Sequence, residues 1–197
     1  SASAAMVWGL DVARFGADRT ALCKRRAARM TEPVRVWQGK DLMQTAGLVK
    51  LEWDNTLPEE RPITIAVDVI GMGSGVVDRL NEMGLPTTSV NVAEAASIQD
   101  KYLRLRDELW FRAKDWFASL AVAIPADEML IADLSAPSYR VQSNGKLRVE
   151  AKEEMAKRSL ASPDLGDAFC LTFAAWADYP ATVLGGKQLK YDDRGIV

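Results

Sequence analysis

Two near-continuous apolar runs, each closed by an aspartate, constrain this chain more than any other feature. Met6-Val7-Trp8-Gly9-Leu10-Asp11 and Ile63-Thr64-Ile65-Ala66-Val67-Asp68 are short and lack the polar alternation of a half-solvated strand. Runs of this kind suit strands of a parallel sheet covered on both faces. They imply an α/β layer with helices on both sides. In such sheets ligands bind outside the carboxyl ends of the strands. Asp11 and Asp68 fall at that place if the two strands are parallel neighbours.

The remaining segments fit around this pair. A Gly-bearing loop, Arg14 to Asp18, follows the first run, and Thr20 to Arg26 and Val34 to Gly39 complete a three-strand meander. Helical spacing covers Leu42 to Trp53, with Leu42, Ala46, Val49 and Trp53 on or near one face. Val76 to Met83 reads as a helix, Pro86 to Val92 as a strand, Gln99 to Leu120 as a long helix, Val122 to Pro125 as a short strand and Asp127 to Leu134 as a helix. Asn144-Gly145 lies between two alternating runs in 139–149, a strong hairpin signal. Glu150 to Arg158 is expected to be a short helix. A last helix is expected to open with Ser162 as N-cap and Pro163 at its first position, and to run to about Trp176.

The chain has 197 residues, which suits one domain with a core of its own. Ser1 to Ala5 reads as a cloning remnant, residues 6–180 as the domain and residues 181–197 as a flexible tail. No apolar run reaches the length of a membrane span. Cys23 and Cys170 read as buried free thiols, with a disulfide as the alternative.

The most useful number in the composition is the histidine count, which is 0. It removes Ser-His-Asp and Cys-His chemistry and every His-ligated zinc site. Hydrolysis by such a chain must use carboxylates, hydroxyls, amines or a metal held by oxygen. The formal net charge of -2 argues against nucleic-acid binding through overall charge, while leaving room for a local basic patch.

A third carboxylate is available on the last helix. Asp164 and Asp167 are three apart and share a face. Gly166 removes bulk where that helix must approach a sheet edge, and Asp167 stands in an apolar run, where a buried carboxylate needs a partner. Clustered carboxylates suit Mg²⁺ or Mn²⁺, hard cations that keep waters and bridge to phosphate. Two such ions would serve an attacking water and a leaving oxygen without any histidine. Against this, an aspartate at a strand end is also a common turn former.

Other features have plainer readings beside the functional ones. Gly71-Met72-Gly73-Ser74-Gly75 does not match a dinucleotide fingerprint and reads as a tight turn with close packing beside the carboxylates. Arg140, Lys146, Arg148, Lys152, Lys157 and Arg158 form either a solvated basic face or a DNA-contacting one, with the second favoured by their place just before Asp167. The mixed charges of the long helix, Lys101, Arg104, Arg106, Arg112 and Lys114 with Asp107, Glu108 and Asp115, read as a solvated face of i,i+4 pairs. The tryptophans, Trp8, Trp37, Trp53, Trp110, Trp116 and Trp176, read as core.

Three segments in order carry a resemblance to a known family. Gly9 to Thr20 resembles the opening motif of phage terminase large-subunit nuclease domains, Ile65 to Gly73 their second acidic motif, and Lys152 to Met155 with Ser162 to Ala168 their closing segment. The resemblance implies an RNase H-like fold, a central mixed sheet of antiparallel meander plus parallel strands with helices on both faces. It implies that Asp11, Asp68 and Asp167 are the catalytic, metal-binding triad, with Asp164 and Asp18 as weaker candidates. The cofactor would be Mg²⁺ or Mn²⁺, as one or two ions, and the activity an endonuclease cutting concatemeric double-stranded viral DNA during genome packaging. The implied partners are an ATPase domain, a small terminase subunit and a portal, in the cytoplasm of an infected bacterial host. No G-x-x-x-x-G-K-[ST] phosphate loop occurs, so a packaging ATPase is not expected within this sequence. The alternatives are a resolvase or transposase nuclease on the same fold, an actin-like ATP-binding domain, and a cation-binding scaffold without activity.

Overall fold

The computed structural model describes residues 4–13, 19–119 and 121–174. Asp18, the rest of the Arg14 to Asp18 loop, Trp176 and the C-terminal tail lie outside the described residues.

Strand β1 (Met6–Asp11) pairs antiparallel with β2 (Arg19–Arg26) and parallel with β5 (Thr64–Asp68). β2 meets two short partners in turn. β3 (Arg29–Met30) pairs with its end, and β4 (Arg35–Gln38) with its beginning. β6 (Thr87–Val90) adds to β5 in parallel, so the order is β3-β2-β1-β5-β6 with β4 also on β2. The two apolar runs are thus parallel neighbours. Leu10 faces Val67 in the register, and one further residue sets Asp11 beside Asp68.

Each face of the sheet is covered, which is why β1 and β5 show no polar alternation. On one face Trp8, Leu10, Leu22, Ile65 and Val67 pack on α1 (Leu42–Asp54) and α2 (Gly73–Glu82) through Ala46, Val49, Val76 and Leu80. On the other, Ala21, Cys23 and Ala66 pack on α3 (Leu105–Ala118) and α6 (Asp164–Leu171) through Leu109, Leu165, Ala168 and Phe169. α4 (Glu128–Ser135) lies against α6. β7 (Tyr139–Val141) and β8 (Leu147–Val149) form a separate hairpin, followed by α5 (Lys152–Lys157). Gly145, at φ +81°, closes the hairpin turn, whose Gly145 N–H donates to Gln142 C=O. Among the described residues no helix is long and apolar enough to cross a membrane. Cys23 and Cys170 are buried free thiols.

One glycine decides how closely the sheet is covered. A Cβ on Gly9 would stand 2.1 Å from Ala168 C=O, so α6 crosses β1 in backbone contact. Side chains alternate along β1. Asp11, two residues past Gly9, therefore points to the α6 face just beyond the crossing. Gly166 has a different task from the one expected. Its missing side chain makes room for the Trp110 ring, 2.8 Å from an added Cβ, so it serves contact with α3 rather than the sheet edge.

Several boundaries differ from the sequence reading for physical reasons. The long helix begins at Leu105, not near Gln99. Leu103 N–H donates to Leu147 C=O and Leu147 N–H to Lys101 C=O, so the backbone before it is committed to the hairpin. Asp107 Oδ2 accepts the Arg104 N–H at 2.9 Å and closes the helix start. Val122 to Pro125 contributes only an isolated bridge, Ala123 with Arg29. The last helix starts at Asp164 with Pro163 as its cap and no side-chain capping bond. Ser162 Oγ donates instead to Asp164 Oδ1. The charges at α3 form a solvated face only in part: Lys101, Arg104 and Lys114 are exposed and Glu108 pairs with Arg112 four residues on, but the acidic residues of the first turn point inwards. Asp107 and Glu108 are buried, Asp107 Oδ1 accepts the Val149 N–H, and Glu108 accepts the Ser97 and Ile98 N–H groups.

Candidate metal centre

Among the carboxylates lining one cleft of about 630 Å³, four come from three elements: Asp11 from β1, Asp68 from β5, and Asp164 and Asp167 from the first turn of α6. The α6 N-terminus suits anions, because its backbone N–H groups and dipole present positive potential there. At the centre stands a cation from the chain itself. Lys152 Nζ lies 3.0 Å from Asp167 Oδ2, 3.4 Å from Asp11 Oδ2 and 3.4 Å from Asp164 Oδ1. Three of the four carboxylates therefore share one ammonium. Asp68 Oδ1 accepts the Ile70 N–H at 3.1 Å. Gly73 allows α2 to start directly against this strand end, since a Cβ there would fall 1.7 Å from Asp68 C=O. The glycine-rich segment is thus close packing beside the carboxylates.

A second layer holds the α6 carboxylates in place. Trp110 Nε1–H donates to Asp167 Oδ1 at 2.8 Å and Arg106 Nε–H to the same oxygen at 3.3 Å, while an Arg106 terminal N–H donates to Glu150 C=O. Asp167 Oδ2 is left to Lys152. Arg19 grips Asp164 through its backbone N–H at 3.2 Å and its guanidinium at 3.5 Å, and also donates to Asp133 and to Ser162 C=O. Asp133 Oδ2 accepts the Leu165 N–H at 2.8 Å. Arg19, Arg106, Trp110 and Asp133 were not picked out as site residues from the sequence. In sequence the charges of α3 look like helix-surface pairs and Trp110 like core, and nothing local marks Arg19 or Asp133.

These surroundings pull the carboxylates apart chemically. Burial, and then the charges of Asp167, Asp164 and Asp68, push Asp11 up to about 8 against the pull of Lys152. Burial would also raise Asp167, but Arg106, Lys152 and the Trp110 N–H outweigh it and hold Asp167 below the usual carboxylate value. Lys152 loses by burial and gains more from Asp167, Asp11 and Asp164, so its ammonium is held firmly protonated.

The donors converging here are hard carboxylate oxygens, the chemistry that Mg²⁺ and Mn²⁺ require. Among the described residues no three such groups already stand as a ready-made cage. The Lys152 ammonium occupies the point they share. The residue types fit a divalent ion that displaces a lysine, better than a site pre-shaped for one.

The other basic residues are less free than their sequence suggests. Arg140 and Arg148 pair with Glu154, at 2.8 and 3.4 Å. Arg158 pairs with Glu150 at 2.5 Å. Lys157 is exposed and Lys146 partly so. Lys152 is exposed along its stem, while its ammonium reaches into the carboxylate cluster.

No family model matches the sequence, and no curated protein matches it. Solved structures do match. A mutant of gp2c of the large terminase subunit from bacteriophage Sf6 with calcium superposes with a TM-score of 0.73 at 19% identity, covering 87% of this chain and 89% of its own. A mutant Sf6 gp2 nuclease domain with manganese and beta-thujaplicinol gives 0.72 over the same shares, also at 19% identity. The large terminase nuclease from thermophilic phage G20c with bound magnesium gives 0.65 at 14% identity, over 86% of this chain and 80% of its own. The fold is therefore that of phage large-terminase nuclease domains, an RNase H-like fold.

Proposed function

We propose that the chain is a divalent-metal-dependent endonuclease of the phage terminase type, cutting concatemeric double-stranded DNA during genome packaging. One observation carries the reading. Asp11, at the carboxyl end of β1, meets Asp164 and Asp167, remote in sequence, around a single cationic position, with Asp68 ending the parallel neighbour β5 on the same cleft, in a chain without histidine. The match to terminase nucleases, some of them solved with manganese or magnesium, supports it.

Asp11, Asp68 and Asp167 would hold the metal, as one or two ions, with Asp164 as a further ligand. When bound, Mg²⁺ or Mn²⁺ acidifies a water and offsets charge on the attacked phosphate. Everything else falls to the chain. Asp11, held high in pKa, must give up its proton to bind a cation. Trp110 and Arg106 keep the Asp167 carboxylate turned so that one oxygen faces the cleft. Lys152 balances the carboxylates in the metal-free chain, and its flexible stem would allow it to reach a phosphate oxygen. In a full terminase the partners would be an ATPase domain, a small subunit and a portal, in the cytoplasm of an infected bacterium.

The test is incubation of plasmid with the wild-type chain and Asp11→Ala, each in Mg²⁺ and in Mn²⁺. Cutting by wild type alone is expected. Intact plasmid with wild type in both metals would refute the nuclease reading. Four-way DNA cut in preference to linear duplex would favour a resolvase instead.

A further inference from the structure

The cleft is lined by several cations, and among the described residues the structure separates those already engaged from Arg104, which is not. Arg19 is tied to Asp164, Asp133 and Ser162, Arg106 to Asp167 and Glu150 C=O, and Lys152 to three carboxylates. Arg148 leans on Glu154. Arg104 lines the same cleft, is exposed, and has no ion pair from its guanidinium among the described residues. Its backbone is nonetheless fixed: φ -134°, ψ 163°, with its N–H held by Asp107 Oδ2 at 2.9 Å. Asp107 is itself buried and bound to the Val149 N–H at 2.8 Å.

We infer that Arg104 is the phosphate-gripping arginine of the substrate channel, binding a backbone phosphodiester of duplex DNA beside the carboxylate cluster. This rests on the nuclease reading above and adds to it a substrate contact. A guanidinium on a fixed backbone matches phosphate oxygens in a two-pronged way. Arg104 breaks no existing ion pair to do so. Arg140, Arg148 and Arg158 must each first leave a glutamate, so each contributes less net attraction to an arriving phosphate. Arg104 sits two residues before Arg106, which touches Asp167, and lines the same cleft as Asp11, Asp68, Asp164 and Asp167.

The measurement is binding of a fluorescein-labelled duplex in Ca²⁺, followed by anisotropy across a salt series, for wild type, Arg104→Gln and Arg140→Gln. Both variants remove one charge from exposed side chains, so overall charge is matched. Each phosphate contact contributes about 0.9 to the slope of log affinity against log salt. Arg104→Gln is expected to lower the slope by nearly that amount and Arg140→Gln by clearly less, with Mn²⁺ binding by calorimetry unchanged in Arg104→Gln. An unchanged slope in Arg104→Gln, or equal losses in the two variants, overturns the assignment while the nuclease reading stands. Absence of duplex binding by the wild type overturns both.

Discussion

The indole N–H of Trp110 donates a 2.8 Å hydrogen bond to one oxygen of Asp167, while the other oxygen lies 3.0 Å from Lys152. The carboxylate is thereby held from behind and offered forwards. Groups that orient a ligand in this way affect metal affinity by about 10–100-fold.

Trp110→Phe keeps an aromatic ring under α6 and deletes the N–H. A hydrogen bond to a charged group contributes about 1.5–3 kcal/mol, so a lower Tm is expected. The decisive readout is Mn²⁺ calorimetry on the DNA-free chain, where affinity should fall by about tenfold or more. A lower Tm with unchanged Mn²⁺ affinity would reduce Trp110 to a packing residue.

Lys152→Ala removes the cation that competes for the cluster. Mn²⁺ should then bind more tightly to the DNA-free chain, and the metal-free chain should melt earlier because the carboxylates repel. Lys152 is 41% exposed, so solvent screening limits that loss to about 1 kcal/mol, or about 2–4 °C for a chain of this size. Added Mn²⁺ should restore the melting temperature. Weaker Mn²⁺ binding in the variant would show that Lys152 supports the ion rather than excluding it.

Asp11 carries a pH dependence whose sign is fixed. Its folded-state value of about 8 lies above the ordinary 3.8, so the folded chain binds the extra proton. The stability this contributes is full below about 3.8 and is lost as pH rises through about 8. Thermal melts in EDTA should show wild type weakening across that window and Asp11→Asn weakening less, so that the variant is the more stable one at neutral pH. Mn²⁺ affinity of the wild type should rise with pH over the same range, because binding must release that proton. Parallel pH profiles for the two proteins in EDTA would rule this out.

Gly9→Ala tests whether the crossing of α6 over β1 sets the site. The added methyl would meet Ala168 C=O at 2.1 Å, and overpacking of this kind costs about 1–3 kcal/mol. Because α6 must lift to accommodate it, Asp164 and Asp167 move with the helix, and Mn²⁺ affinity should fall along with the Tm. A destabilised variant that binds Mn²⁺ as wild type does would disconnect the crossing from the site.

The sequence by itself determined the layer architecture and the strand-end positions of Asp11 and Asp68. Burial on both faces writes itself as an unbroken apolar run, and the polar residue that ends the run is visible for that reason. The hairpin in 139–149 was legible too, because Asn144-Gly145 is a local signal. What joins distant segments was not. The engagement of Arg106 and Trp110 with Asp167, of Arg19 with α6, and of Lys152 with three carboxylates depends on where helices cross the sheet. That crossing is set by Gly9 and by the packing of α3 on α6, neither of which has a one-dimensional signature. Charge counting along the chain likewise points to Arg140, Arg148 and Arg158, while only the tertiary structure reveals that Glu150 and Glu154 already engage them and that Arg104 has no ion pair among the described residues. Ion pairing is a matter of a few ångströms between elements remote in sequence, and such distances exist only once the core has packed.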